Sequence, residues 1–72
     1  MQKIKNFSEQ SGFSIRMLRY LEDMEILTPS RSEKNYRVYA EDLLPKALKI
    51  KELQDLGFQL REIKSLEKIP NT

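Results

Sequence analysis

Residues 11–24 read SGFSIRMLRYLEDM, in which a turn signal precedes a run without glycine or proline. Gly12 readily adopts the positive φ that commonly ends a helix. Ser14 suits the cap of the following helix, because a serine side chain accepts hydrogen bonds from the free N–H groups of a first turn. The pattern therefore predicts a helix over residues 15–24 that starts directly after a tight turn.

The helix over residues 15–24 is predicted to have two different faces. At about 100° per residue, its apolar side chains fall on one side and its polar side chains on the other. A polar face with two arginines and a tyrosine is typical of a DNA-recognition helix, although most such faces are simply solvated. The polar face holds Arg16, Arg19, Tyr20 and Asp23, and the apolar face holds Ile15, Met17, Leu18, Leu21 and Met24.

A shorter helix is predicted before the turn. Ile4, Phe7, Ser8 and Ser11 follow helical spacing, which indicates a helix over residues 5–11. A short helix, a turn that contains glycine and a second helix with a basic face together form a helix-turn-helix pattern.

Helical periodicity stops after the second helix. Pro29 and Asn35 favour turns, and the alternating YRVY at residues 36–39 predicts a strand, so this region is expected to form a small β-hairpin. A basic hairpin after a helix-turn-helix is typical of a wing that lies on the DNA backbone, and a solvated surface loop is the alternative. The basic residues of this hairpin are Arg31, Lys34 and Arg37.

Two further helices are predicted to complete the chain. Pro45 is tolerated only in a first helical turn, so the third helix is expected to start near residues 40–42 and to end at Gly57. A fourth helix is expected over residues 59–68, stopped by Pro70. The fourth helix is expected to bury Leu60, Ile63 and Leu66.

Length and composition indicate one small, mainly α domain. The chain has 72 residues, of which 39% are hydrophobic and 33% charged, so it has a thin core and no room for a second domain. We expect residues 1–27 to form the helix-turn-helix, 28–39 the wing and 40–69 the remaining helices. An enzyme is not expected. The absence of Cys and His excludes thiolate nucleophiles, imidazole bases and the usual zinc ligands, and no cofactor or metal is expected.

Charge is unevenly distributed, although the net charge is only +2. Residues 1–20 carry four basic and one acidic side chain, whereas residues 21–30 carry three acidic side chains and none that are basic. Such asymmetry suits one face turned toward a polyanion, and an ordinary mixed surface is an equally good explanation. The chain has no long apolar run or signal peptide, so a cytoplasmic protein is expected.

These segments together resemble the DNA-binding domain of the MerR family of bacterial transcription regulators, a winged helix-turn-helix. The resemblance covers nearly the whole chain. The family motifs TGVS, VRTLRYYE, GLLxP, GYRxY and LGFxLxEI correspond to SGFS at 11–14, IRMLRYLE at 15–22, EILTP at 25–29, NYRVY at 35–39 and LGFQLREI at 56–63.

Four departures from the family pattern bear on the expected structure. Leu21 replaces a frequent tyrosine, Glu25 and Asn35 replace frequent glycines, and Ala40 replaces the Ser or Thr that caps the third helix. Losing that cap costs about 1 kcal/mol unless Asp42 takes the role. None of these changes removes a basic residue, so the expectation of DNA binding stands.

The resemblance also implies which side chains contact DNA. Arg16, Arg19 and Tyr20 would lie in or beside the major groove, where an arginine can bind guanine with two hydrogen bonds. Tyr36 and Arg37 would contact backbone phosphates from the wing. The full expected set is Ser14, Arg16, Arg19, Tyr20, Arg31, Lys34, Tyr36 and Arg37. Phe13, Tyr39 and Phe58 are expected in the core rather than as platforms for nucleic-acid bases.

Family members continue into a dimerisation helix and an effector domain, and we expect neither of these within the present 72 residues. The resemblance implies a homodimer for the full-length protein, a monomer for this fragment, a double-stranded promoter or operator half-site as its ligand, and an indirect effect on RNA polymerase. Two alternatives stay open. An excisionase-like architectural DNA-binding protein has a similar winged fold and a short chain, and a protein-interaction domain would have kept the fold but lost DNA.

Overall fold

The computed structural model describes residues 1–67, which form four helices and a small sheet. The helices are α1 (Ile4–Ser11), α2 (Ile15–Asp23), α3 (Leu43–Asp55) and α4 (Leu60–Glu67), and the strands are β1 (Gln2–Lys3), β2 (Ser30–Arg31) and β3 (Arg37–Tyr39). The predicted order of helix-turn-helix, hairpin and two further helices is present. The expected end of α4 at Lys68 and the stop at Pro70 lie outside the described residues.

The turn between α1 and α2 has the predicted geometry. Gly12 has a φ of 82° and its N–H donates to the carbonyl of Ser8 at 3.0 Å, which ends α1. The Ser14 hydroxyl accepts from the N–H of Met17 at 3.0 Å and so caps α2. The predicted Ser14 cap is confirmed, and it fixes the residue at which α2 begins.

The hairpin also forms as expected, but it belongs to a larger sheet. β2 and β3 pair antiparallel, and Asn35, with a φ of 66°, closes the turn between them through an N–H bond to the carbonyl of Ser32 at 2.8 Å. β1, which was not predicted, pairs with the other edge of β3 and gives the order β1-β3-β2. A strand of two residues is too short to show alternation, which explains why the sequence pattern missed it.

The core lies where α1 meets α2, α3 and the sheet. The rings of Phe7 in α1 and Tyr39 in β3 stack with centroids 4.3 Å apart and an interplanar angle of 11°. Phe13 and Tyr39 are buried, as predicted. The buried apolar residues are Phe7, Phe13, Leu18, Leu21, Ile26, Leu27, Tyr39, Ala47, Ile50 and Ile63.

Two residues that were expected in the core are exposed. Phe58 is 40% exposed and Leu66 is 47% exposed, so both predictions were wrong. The N–H of Phe58 donates to the carbonyl of Leu53 at 3.0 Å, and that of Gly57 to Gln54 at 2.9 Å, which is the Schellman arrangement. This arrangement places Phe58 beyond the end of α3, at the edge of the helical layer. Leu66 lies one turn past Ile63, which is buried.

The start of α3 follows the prediction from Pro45, with one correction. The helix begins at Leu43, so Pro45 lies in its first turn, where its missing N–H is tolerated. Asp42 precedes the helix but makes no side-chain cap hydrogen bond and has helical backbone angles. Asp42 therefore does not replace the cap that Ala40 lacks. The N–H of Leu43 instead donates to the carbonyl of Ala40 at 3.0 Å.

Candidate nucleic-acid interface

The outer face of α2 carries the predicted recognition residues together. Arg16, Arg19 and Tyr20 are all exposed, and the Tyr20 side chain is 50% exposed. With Ile15 and Asp23 they line an open groove of about 590 Å³ along the helix. The opposite face of α2 is held by the buried Leu18 and Leu21, so the orientation of the arginines is set by core packing. These two leucines belong to the predicted apolar face.

The wing places two arginines directly opposite each other. Arg31 of β2 is the register partner of Arg37 in β3, and like charges at such positions repel. A carboxylate that was not predicted as part of the site, Glu22 of α2, lies between them. Its Oε1 accepts from Nε of Arg37 at 2.5 Å and its Oε2 accepts from Nη2 of Arg31 at 3.2 Å. Glu22 thus joins the recognition helix to both strands of the wing.

The contact with Glu22 leaves most of the Arg37 guanidinium available. The hydrogen bond that Arg37 donates to Glu22 raises the pKa of Arg37 above its ordinary value, against an opposing effect of burial. An arginine has five N–H donors, and Arg37 uses only Nε within residues 1–67. Its side chain is 26% exposed. Arg37 is therefore held in one orientation while its terminal amino groups can bind an anion.

A basic cleft connects α2 to the wing. It has a volume of about 280 Å³ and lies between the N-terminal segment, α2 and the hairpin. No carboxylate is among its lining residues. Arg19 lines both this cleft and the groove on α2, so the two surfaces are continuous. The cleft is lined by Lys3, Ile4, Lys5, Arg19, Arg31, Asn35, Tyr36 and Arg37.

The groove and the basic cleft thus bring together six of the eight expected site residues, with two additions. Lys3 and Lys5 line the cleft but were not predicted, and the only signal for them was the basic excess in residues 1–20. Lys3 is placed by β1, and its Nζ lies 5.8 Å from the ring centroid of Tyr36. Tyr36 is 59% exposed.

Lys34 and Ser14 lie at the margins of this surface. Lys34 does not line the basic cleft but lines an adjoining groove on the wing, which shares Lys3 and Tyr36 with the cleft and also contains Ser32 and Glu33. Ser14 is exposed, and its hydroxyl is already engaged by the N–H of Met17. Its helix-capping role is established, and its contact with phosphate stays a prediction.

Within residues 1–67, no helix has both the length and the apolar character needed to cross a membrane. The same residues contain no cluster of three or more His, Cys, Asp or Glu side chains placed to hold a metal ion.

Known proteins of similar sequence are transcription regulators. The HTH-type transcriptional activator mta of Bacillus subtilis (strain 168) is 36% identical over 70 residues, which covers 96% of this chain and 27% of that protein. The mercuric resistance operon regulatory protein of Bacillus cereus is 34% identical over 65 residues, which covers 89% of this chain and 49% of that protein. The chain therefore spans half or less of the length of these relatives.

The backbone is also similar to a solved structure. It matches the crystal structure of MtaN, the N-terminus of the Bacillus subtilis multidrug transporter activator, with a TM-score of 0.91 and 33% identity over 99% of this chain and 68% of that chain. This likeness confirms the mainly α, winged helix-turn-helix fold. The sequence model of the MerR HTH family of regulatory proteins matches residues 3–68. The chain therefore belongs to the MerR HTH family of regulatory proteins.

Proposed function

We propose that this domain binds double-stranded DNA and serves as the promoter-recognition part of a MerR-type transcription regulator. In this proposal α2 enters the major groove and the wing lies on the adjacent phosphate backbone. The observation that carries the proposal is the position of Arg19, which lines both the groove on α2 and the basic cleft beside the wing. One continuous cationic surface of this kind suits a duplex, because major groove and backbone are adjacent along it.

The side chains of α2 are assigned to the bases. Arg16 and Arg19 are exposed on the outer face, and an arginine can donate two hydrogen bonds to O6 and N7 of guanine. Tyr20 is exposed beside them and can contact a base edge or the sugar-phosphate backbone. The buried Leu18 and Leu21 fix the orientation of this face, so recognition would not require ordering of the helix.

The wing is assigned to the phosphates. Tyr36 and Arg37 are the main contacts, with Arg31 and Lys34 as further cations. Glu22 orients Arg31 and Arg37 without using all of their donors, which supports a preformed grip on the backbone. Ser14 caps the start of α2, and helix N-termini are among the groups that bind phosphate, so we assign to Ser14 a further phosphate contact.

The assembly around this domain is also part of the proposal. The relatives are longer and are regulators by name, which favours a regulator over an architectural DNA-binding protein. We propose that the full-length protein is a homodimer in the bacterial cytoplasm that affects RNA polymerase through promoter DNA. A single DNA-binding domain on its own would be a monomer that binds one half-site weakly, because linking two binding modules is what raises avidity.

Selection of binding sites from a pool of random duplexes tests the proposal. The wild-type chain should enrich a half-site with at least one guanine that depends on α2. Arg16→Ala and Arg19→Ala should each lose preference at one position, at a cost of about 1–3 kcal/mol against the wrong base. Lys49→Ala, on α3 and outside both surfaces, is the matched control and should enrich the same site. The assignment would be contradicted if the wild type enriched no sequence, or if both arginine variants enriched the same sequence as the wild type.

A further inference from the structure

The N-terminal segment presents two lysines to the basic cleft that the proposed recognition helix and wing leave unexplained. Lys3 lies in β1 and Lys5 in the first turn of α1, and both line the cleft opposite Arg31 and Arg37. Neither lysine has a carboxylate partner within residues 1–67. The same holds for Arg19, which closes the cleft on the side of α2.

We propose that Lys3 and Lys5 form a third DNA-binding element, which holds one backbone phosphate in the cleft between α2 and the wing. This inference rests on the proposed function and adds a contact to it. Arg19 and the exposed Tyr36 complete the lining around that phosphate. The chemical group recognised is a phosphodiester of the duplex.

The sheet holds Lys3 in position. In the register of β1 with β3, Lys3 is the partner of Val38 and Gln2 is the partner of Tyr39. The side-chain amide of Gln2 also donates to Oε1 of Gln10 in α1 at 2.7 Å. The N-terminal segment is thereby attached to both the wing strand and α1, and the strand pairing fixes the position of the Lys3 backbone beside the wing.

The charge of the cleft favours an anion. Within residues 1–67, Glu22 is the single carboxylate that pairs with Arg31 and Arg37, so even those two arginines are only half neutralised. Lys3, Lys5 and Arg19 add three further cations with no acidic lining residue. Convergent cations in a concave site focus the electrostatic potential and raise the local concentration of anions.

The position of the cleft favours a phosphodiester of the duplex over free phosphate. Arg19 lines the cleft and also the proposed major-groove face. A backbone phosphate beside the major groove would therefore be held together with that face, whereas free phosphate would make no contact there.

The test is a titration of a labelled random-sequence duplex at several salt concentrations with the wild type, Lys3→Gln, Lys5→Gln and the double variant. Each lost phosphate contact should lower the magnitude of the log–log salt slope by about 0.9. Because the two lysines share one phosphate in this proposal, either lysine alone still neutralises part of its charge, so each single variant should lower the slope by less than the double variant, which should lower it by about 0.9. Lys49→Gln, which loses the same charge outside the cleft and faces Glu52 on α3, should keep the wild-type slope.

The outcomes separate this inference from the proposed function. A wild type that binds with steep salt dependence while the lysine variants keep its slope would overturn only the inference. A wild type that binds no DNA would overturn both.

Titration of inorganic phosphate, followed through the backbone amide NMR signals of Lys3 and Lys5, addresses the source of the phosphate. If inorganic phosphate shifts these signals to saturation but the duplex does not change them, the cleft binds free phosphate and not DNA. That result would also overturn the inference. Far-ultraviolet circular dichroism of each variant verifies the fold.

Discussion

Glu22, near the end of α2, and Arg37, in β3, form an ion pair with 2.5 Å between Oε1 and Nε, and the second carboxylate oxygen of Glu22 binds Arg31. The pair joins elements that the sequence separates by 15 residues. It sets the position of the wing relative to the recognition helix. Both side chains are partly exposed, so their interaction is reduced by solvent.

Glu22→Gln is expected to lower the free energy of unfolding by about 1 kcal/mol, because two arginines that face each other lose their shared counter-charge. The measurement is urea unfolding of the wild type, Glu22→Gln, Arg37→Ala and the double variant. These four proteins form a double-mutant cycle, which is expected to give a favourable coupling energy between Glu22 and Arg37. Glu9→Gln, on the exposed surface of α1, is the control. Additive effects of the two substitutions would show that the pair contributes nothing.

Glu25→Gly is expected to raise the free energy of unfolding by about 0.5–1 kcal/mol. Glu25 has a φ of 60°, a left-handed conformation that costs a residue with a Cβ about 1–2 kcal/mol, and the greater chain entropy of glycine offsets part of this gain. Thermal unfolding measures the change. Glu25→Gln keeps the Cβ and removes the charge, so equal stabilisation by Gln would show that charge, not backbone, is responsible.

Asn35→Gly is expected to have a smaller effect than Glu25→Gly. Asn35 also has a positive φ, at 66°, but asparagine tolerates this conformation better than glutamate does. The two variants compared in the same thermal unfolding experiment rank the strain at the two turns. A larger gain at Asn35 would contradict this account of both positions.

Tyr39→Phe is expected to raise the free energy of unfolding by about 1 kcal/mol at neutral pH. Tyr39 is fully buried, and its hydroxyl has no hydrogen-bond partner among residues 1–67, an arrangement that costs about 1–3 kcal/mol. Tyr36→Phe, at an exposed position, should be neutral. Destabilisation by Tyr39→Phe would show that the hydroxyl makes a contact that the described residues do not contain.

The same tyrosine predicts a loss of stability at alkaline pH. Burial, followed by the negative charge of Glu22, raises the pKa of Tyr39 above 10.0 in the folded chain. The unfolded chain therefore loses this proton first as the pH rises. The ionisation of Tyr39 has no effect on the free energy of unfolding well below pH 10 and lowers it as the pH rises above 10. Urea unfolding between pH 8 and 11 should show a smaller decline for Tyr39→Phe. Equal declines would contradict the expected role of Tyr39.

Lys51→Met is expected to destabilise the fold by about 1 kcal/mol, because it removes two contacts that hold the turn of the helix-turn-helix. The ammonium of Lys51 donates to the carbonyl of Gly12 at 3.1 Å and lies 4.8 Å from the ring centroid of Phe13. Lys49→Met, at an exposed position on the same helix, is the control and should leave the unfolding midpoint unchanged. A similar loss of stability in both variants would show that removal of any lysine from α3 destabilises the fold, whether or not it contacts the turn.

Features that depend on residues close together in the sequence were predicted, and contacts between distant residues were missed. The cap at Ser14, the turn at Gly12 and the apolar face with Leu18 and Leu21 depend on near neighbours, and all were predicted. Glu22 was missed as a site residue because its partners are 9 and 15 residues away in another element. Local patterning contains no information about such contacts.

The residues placed wrongly lie at the margins of the domain. Phe58 and Leu66 have the spacing of core residues, but a chain of this length has too little interior to bury every apolar side chain. Lys3 lines the basic cleft from β1, whose two residues show no strand pattern, and Lys5 lines it from the first turn of α1. The position of Lys3 depends on the pairing of β1 with β3, which only the tertiary structure shows.

Binding of a labelled duplex over a range of salt concentrations, with the wild type and Arg19→Ala, tests the central claim most directly. Arg19 joins the face of α2 to the basic cleft, so the account predicts salt-dependent binding by the wild type and clearly weaker binding by Arg19→Ala, with Lys49→Ala unchanged. Absence of binding by the wild type at about 50 mM salt, where phosphate contacts are strong, or equal binding by Arg19→Ala, would contradict it.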